Sequence, residues 1–70
     1  VENVVIVQQD NSGKTGFIEA CKNGHINVVN ILLKQPLRNN IVAQQDNSAK
    51  TGFIEACKNE HINVVNVLLK

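Results

Sequence analysis

Residues 8–34 read QQDNSGKTGFIEACKNGHINVVNILLK, and residues 44–70 read QQDNSAKTGFIEACKNEHINVVNVLLK. The offset between the two stretches is 36 residues, and only three of the 27 aligned positions differ. The differing pairs are Gly13/Ala49, Gly24/Glu60 and Ile31/Val67. A fixed period of this size is typical of repeat proteins, in which each unit leaves an apolar face open and its neighbour covers it. We therefore expect equivalent residues of the two copies, such as Phe17 and Phe53, to have like surroundings.

The length bounds the architecture. Seventy residues make one small domain at most. Two repeat units with open ends bury little apolar surface, and about three are usually needed for a stable stack. Because the chain begins at Val1 without a methionine and ends in mid-apolar pattern, we expect a piece of a longer array, or a unit that stacks on copies of itself.

Composition argues against several classes of partner. Seven basic and six acidic residues nearly balance, and the only aromatic side chains are Phe17 and Phe53. A nucleic-acid partner would favour a basic patch or a row of aromatic residues. No apolar run approaches the ~20 residues of a membrane span, and the N-terminus does not resemble a signal peptide. We therefore expect neither a nucleic acid nor a membrane as a partner.

Each copy contains one cysteine, Cys21 or Cys57, at the equivalent position. Neighbouring helices lie about 10 Å apart, whereas a disulfide needs Cα atoms within about 7 Å. A bridge between the two residues is therefore not expected. Two unpaired thiols favour a reducing, intracellular and cytoplasmic location.

Local signals outline two short helices in each copy. Asp10-Asn11-Ser12-Gly13 predicts a turn, because Asp and Asn bond their own backbone and Gly accepts a positive φ. Thr15 stands where the N-cap of a first helix is expected. Asn23-Gly24 predicts the end of that helix through a left-handed residue. The second helix is predicted from about Ile26 to Lys34, with its polar stripe at i, i+3 and i+7.

The segment between the copies predicts extended structure. Pro36 prevents helical continuation and pushes the residue before it toward extended backbone. We expect a connector over 37–45, with Ile41-Val42-Ala43 extended. By the same phase, Val4 to Val7 would be the first unit's strand. The expected unit is two helices and a projecting hairpin.

These residues resemble a known family. Asp10-x-x-Gly13-x-Thr15, followed by Ala20-Cys21-x-x-Gly24-His25-x-x-Val28-Val29-x-Ile31-Leu32-Leu33, resembles the ankyrin repeat pattern D-x-x-G-x-T-P-L-H-x-A-A-x-x-G-H-x-x-V-V-x-L-L-L. The second copy matches it from Asp46 to Leu69. The resemblance implies an all-α fold, in which repeats of helix-turn-helix plus β-hairpin or loop stack as an ankyrin-type solenoid.

The resemblance also implies two units. Repeat 1 would occupy residues 1–34, with a hairpin over 1–14 and helices over about 16–23 and 26–34. Repeat 2 would occupy residues 35–70, with a connector and hairpin over 35–50 and helices over about 52–59 and 62–70. The period of 36 exceeds the family's 33, and we expect the extra residues in the Gln35–Asn40 region.

The chain departs from the family pattern at several positions. Glycine (Gly16, Gly52) replaces Pro, and phenylalanine (Phe17, Phe53) replaces Leu. Isoleucine (Ile18, Ile54) replaces a His whose hydrogen bonds link neighbouring units, so we expect apolar contact to substitute for that link. Glu60 replaces the Gly of the first copy, which would cost about 1 kcal/mol if the position needs a positive φ.

The family resemblance implies a non-catalytic scaffold for protein–protein interaction. It implies no catalytic, metal or cofactor-binding residues, and a protein partner held by hairpin tips and first helices. The expected contact residues are Asn11, Ser12, Lys14, Lys22, Asn23, Asn47, Ser48, Lys50, Lys58 and Asn59; an ordinary solvated polar face is the alternative for them. A second function stays open, namely a structural self-assembly unit whose chains stack end to end, because 70 residues is close to two periods.

Other motifs have weaker support. Gly13-Lys14-Thr15 resembles the end of a phosphate-binding loop, but Gln8 stands where that loop needs Gly. Cys21 and His25, together with the equivalent pair in the second copy, could supply four zinc ligands, but stacked units would hold the two pairs too far apart. A thiol nucleophile would need a third orienting group. A tetratricopeptide fold would have longer helices and shorter connectors.

Overall fold

The computed structural model describes residues 5–70, and five helices lie wholly within that range. In chain order, α1 spans Gly16–Lys22, α2 Ile26–Leu33, α3 Arg38–Ala43, α4 Gly52–Lys58 and α5 Ile62–Leu68. Residues 5 and 6 are helical as well, and no strand occurs within 5–70. The described chain is therefore all-α, as the sequence predicted.

Side-chain caps start the first helix of each copy. The Oγ1 atom of Thr15 accepts a hydrogen bond from the backbone N–H of Ile18 at 3.2 Å, and Thr51 accepts one from Ile54 at the same distance. Each bond satisfies a backbone donor that the first helical turn leaves unpaired. The predicted N-cap at Thr15 is confirmed.

Left-handed residues follow these helices in both copies. Gly24 has φ +72° and the equivalent Glu60 has φ +59°. The position therefore needs a positive φ, the condition under which the sequence predicts a cost at Glu60. Asn23 has φ −98°, so the glycine alone provides the left-handed step after α1.

The predicted extended connector is wrong. Residues 41–43 belong to α3, where the N–H of Ile41 donates to the carbonyl of Leu37 at 2.9 Å. Ile41 is buried, and Leu37 and Val42 pack against the same core. Burial of this apolar face outweighs the β-branched character of Ile41 and Val42.

The predicted hairpins are also corrected wherever the chain is described. Residues 5 and 6 are helical rather than extended, while the predicted strand residue Val4 and the rest of 1–4 lie outside the described residues. Each predicted hairpin tip is a closed turn instead. The Oδ1 atom of Asp10 accepts from the N–H groups of Ser12 and Lys14 at 2.8 and 2.9 Å, and Asp46 makes the same bonds in the second copy. The predicted use of Asp to bond its own backbone is confirmed.

The two copies pack side by side. Helix α1 packs against α4 and α2 against α5, while α1–α2 and α4–α5 are the pairs within each copy and α3 packs on α2. The core is the cluster of buried side chains Phe17, Ala20, Cys21, Val29, Ile41, Ala56 and Val64. Both copies contribute to this one core, so neither copy would keep its apolar face covered alone.

Equivalent residues of the two copies have similar backbone conformations but different solvent exposure. Phe17 is 1% exposed and Phe53 is 38% exposed. The expectation of like surroundings is wrong in this respect. Helix α4 covers α1, whereas within residues 5–70 the main packing partners of α4 are α1 and α5 alone. The N-cap angles of the two helices, φ −93° and −97°, show that the local fold is nonetheless repeated.

A close approach explains one of the glycines that replace the family's Pro. A Cβ atom at Gly52 would lie 2.7 Å from the Phe17 ring and 2.9 Å from the Cys21 sulfur. The start of α4 therefore rests directly on the core of the first copy. A Cβ at Gly16 would meet nothing within 4 Å, because no described residue packs there.

Candidate protein-interaction surface

The ten predicted contact residues fall in two groups in each copy. One group lies on the turn before the first helix, and the other lies at the end of that helix. Eight of the ten are exposed, and Lys14 and Lys50 are half-buried. The turn group is Asn11, Ser12 and Lys14 with Asn47, Ser48 and Lys50; the helix-end group is Lys22 and Asn23 with Lys58 and Asn59.

The two turns are joined to each other by hydrogen bonds. The backbone N–H of Asn47 donates to the carbonyl of Ser12 at 3.0 Å, and the Nδ2 group of Asn47 donates to the carbonyl of Asn11 at 3.0 Å. Asn47 therefore holds the second turn against the first. Because the Nδ2 group of Asn47 already donates within the protein, it has less capacity to donate a hydrogen bond to a partner.

Gln9 also links the two copies, a role that was not predicted from the sequence. Its Nε2 group donates to the carbonyl of Gly13 at 2.7 Å and to the carbonyl of Gln45 at 2.7 Å, so one side chain bridges both copies. The available signal was the QQD segment that precedes each turn. Apolar contact was expected to substitute for the family's His link, and Ile18 is buried; the bonds from Gln9 add a polar link between the copies.

Lys14 is engaged with the second copy. Its Nζ atom lies 3.5 Å from the Oδ2 atom of Asp46, and Asp46 is buried. The pKa of Asp46 is lowered, first by the hydrogen bond from the backbone N–H of Lys50, then by that of Ser48 and by the Lys14 charge, although partial desolvation opposes the shift. Lys14 thus neutralises a carboxylate that the fold has partly removed from water.

The helix-end group is the more accessible one. Lys22 and Lys58 are exposed and stand in the last turn of α1 and α4, where a positive charge interacts favourably with the helix dipole. The Nδ2 group of Asn23 donates to the carbonyl of Glu19 at 2.9 Å, and Asn59 makes the same bond to Glu55. These two Asn side chains are held in place, whereas the neighbouring lysines project into solvent.

His61 supplies a further bond between the copies. Its Nε2 atom lies 2.8 Å from the carbonyl oxygen of Lys22, a separation of 39 residues along the chain. His61 stands at the turn between α4 and α5. The structure shows that the bond reaches the preceding copy, so the ring fixes the end of α1 against the start of α5.

The remaining chemical groups are placed as follows. Cys21 is buried, and burial raises the pKa of its thiol to about 12, which disfavours the reactive thiolate. Cys57 is exposed, and both cysteines are free. Within residues 5–70, no three His, Cys, Asp or Glu side chains are grouped to hold a metal ion. The N–H of Lys14, in the segment that resembles a phosphate loop, donates to Asp10.

A family model described as ankyrin repeats, in three copies, matches residues 2–70. No curated protein matches the chain. Among the described residues, no helix has both the length and the apolar character that crossing a membrane requires.

Proposed function

The chain belongs to the ankyrin repeat family, and on that premise we propose that it is a non-catalytic scaffold for binding another protein. Ankyrin repeats are generally protein–protein interaction modules and are typically not enzymatic. The family match over nearly the whole chain is the observation that carries the proposal. The mechanism is a rigid stack that presents exposed side chains at repeated positions.

We propose that the stack consists of two units, residues 1–34 and 35–70, arranged as a short solenoid. The direct packing of α1 on α4 and of α2 on α5 supports this division. The hydrogen bonds from Gln9 and His61 to the other copy support it as well. In this arrangement α3 occupies the connector where the sequence predicted a hairpin.

Within the ten predicted contact residues, we propose that Lys22 and Lys58 make the main partner contacts. Both are exposed and both occupy the same place on their helices. Lys14 and Asn47 have structural partners, so they contribute less. A repeated pair of cations fits a partner segment that carries Asp or Glu, because opposite charges steer and orient an encounter.

We propose an intracellular, cytoplasmic location. The support is the pair of free thiols, Cys21 and Cys57. Free cysteines are typical of reducing compartments.

A second candidate function is self-assembly through the end faces of the stack. Its support is the uncovered apolar surface beside α4 and α5. A cleft of 340 Å³ lies there, lined by Phe17, Arg38, Val42, Phe53, Leu68 and Leu69. Leu69 is 69% exposed and Phe53 38% exposed. Apolar surface of this kind favours association, but Ala49 and Glu60 each add a Cβ atom where the equivalent residues of the first copy are Gly13 and Gly24, so binding another protein is the favoured function.

Selection from a displayed peptide library tests the scaffold proposal. Wild-type protein is the target, and the selected peptides are then measured against a variant with Lys22→Glu and Lys58→Glu. The peptides should be rich in Asp and Glu, and the variant should bind them about tenfold more weakly, since two exposed charge contacts contribute about 0.2–1 kcal/mol each.

The chain offers a matched control. Lys34→Glu with Lys70→Glu reverses the same number of exposed charges at the ends of the second helices. These changes should leave the affinity of the selected peptides nearly unaltered. Equal weakening by both double variants would show that net charge, rather than the proposed surface, governs binding. Selection that yields no peptide would count against the scaffold function itself.

A further inference from the structure

The two copies differ at only three positions, and two of these have an unusual backbone conformation. Gly13 and Ala49 have φ +79° and +64°, and Gly24 and Glu60 have φ +72° and +59°. All four residues are left-handed, a region that Gly enters freely and that disfavours Ala and Glu. The first copy therefore has Gly where the backbone favours it, and the second copy does not.

Contacts made by the next copy account for glycine at position 13. A Cβ atom at Gly13 would lie 2.6 Å from the backbone nitrogen of Asn47. Rotation of a side chain cannot relieve this overlap, because the atom concerned belongs to the backbone. That nitrogen also donates to the carbonyl of Ser12 at 3.0 Å. The second turn can approach this closely only because residue 13 has no side chain.

The same holds at position 24. A Cβ atom at Gly24 would lie 2.7 Å from the Nδ1 atom of His61. The other ring nitrogen of His61 lies 2.8 Å from the carbonyl oxygen of Lys22. The ring therefore could not move away from a Cβ atom without losing its hydrogen bond to the first copy.

Ala49 and Glu60 place Cβ atoms at the two equivalent positions of the second copy. In the register that joins the two copies, a second molecule would bring the backbone of its Asn11 against Ala49. It would bring the ring of its His25 against Glu60. Both approaches would repeat the overlaps that Gly13 and Gly24 avoid.

We infer that Ala49 and Glu60 prevent a second copy of this chain from stacking, in the chain's own repeat register, on the uncovered apolar face of α4 and α5. The face concerned includes the exposed side chains of Phe53 and Cys57, which are equivalent to the buried Phe17 and Cys21. Steric overlap at Ala49 and Glu60, which form the rim of this face, opposes self-association, whereas the apolar side chains at its centre would favour self-association. This is a form of selection against a wrong partner by clash.

Analytical ultracentrifugation of the full chain tests this inference. Wild type should sediment as a monomer across a concentration series. The variant Ala49→Gly with Glu60→Gly should associate, with an association constant at least about tenfold higher. Association should also protect Cys57 from a thiol reagent, because the equivalent Cys21 is covered by the next copy.

The control variant carries Ala49→Asn with Glu60→Asn. Asn tolerates the left-handed conformation but keeps a Cβ atom. It therefore relieves backbone strain without removing the steric overlap, and this variant should stay monomeric. Circular dichroism at low concentration verifies that each variant is folded. Association of wild type, a folded double-glycine variant that stays monomeric, or association of the double-asparagine variant would each overturn the inference.

Discussion

Cys21 and Cys57 provide a paired probe of how the second copy covers the first. Two variants each keep one thiol: Cys57→Ala leaves Cys21, and Cys21→Ala leaves Cys57. In folded protein, a chromogenic disulfide reagent should modify Cys57 rapidly and Cys21 slowly. The reason is that Cys21 lies in the core beneath α4, whereas Cys57 is exposed.

Cys21 can react with the reagent by two routes, either directly in the folded protein or after unfolding. The faster route determines the observed rate of modification. Direct attack needs the thiolate, and a pKa raised from 9.0 to about 12 lowers the thiolate fraction at pH 8 about a thousandfold. Attack through unfolding is limited by stability, which for 70 residues is roughly 3.5 to 10 kcal/mol. At the lower limit the unfolded fraction is about 1 in 300. Cys21 should therefore react at least about 300-fold more slowly than Cys57.

Absorbance of the released thiolate follows both reactions under pseudo-first-order conditions. In concentrated urea the two variants should react at similar rates, which controls for intrinsic reactivity. Circular dichroism must show that each single-thiol variant is folded before reaction. Rates within about tenfold of each other in folded protein would refute the reasoning, because they would mean that α4 does not cover α1.

Two further pairs of measurements follow from the repeat, and one follows from the pKa of Asp46. Gly13→Ala should lower the free energy of unfolding by more than about 1–2 kcal/mol, which is the cost of the left-handed conformation alone. Ala49→Gly should raise the free energy of unfolding by about 1 kcal/mol. If urea unfolding shows equal and opposite changes, the contact between the two turns contributes nothing to stability. Phe17→Ala should cost about 3–5 kcal/mol and Phe53→Ala about 2–3, because part of the Phe53 ring is already in water; equal losses would contradict this. The lowered pKa of Asp46 means that its stabilising effect is present above its ordinary value of 3.8 and is lost as pH falls through the lower, folded value. The free energy of unfolding of Asp46→Asn should therefore fall less steeply in acid than that of wild type. Superimposable plots of this free energy against pH for the two proteins would contradict the prediction.

Local chemistry was predictable from the sequence. The N-caps at Thr15 and Thr51, the Asp-centred turn and the left-handed residue after α1 all follow from residues a few positions apart. The candidate lysines were found in the same way, because they stand at fixed places on predicted helices. Whether those lysines bind a partner stays a prediction.

Other features depended on residues that lie far apart in the chain. Ile41 reads as a strand residue, yet it is helical because one face of α3 is buried in the core. Gln9 reads as an ordinary polar residue, yet it bridges two turns. Such roles depend on a neighbour one period away, and no short window of sequence contains that neighbour.

The duplicated sequence by itself determined the repeat, the two predicted helices of each copy and the Thr caps, since these arise from hydrogen bonds and periodicity within single segments. Only the tertiary structure decided which of two identical residues would be covered. Phe17 and Phe53 have the same local sequence, but α4 lies over one and, within residues 5–70, no equivalent helix lies over the other. Burial is a property of what packs against a residue, and for that reason identical segments acquire different environments.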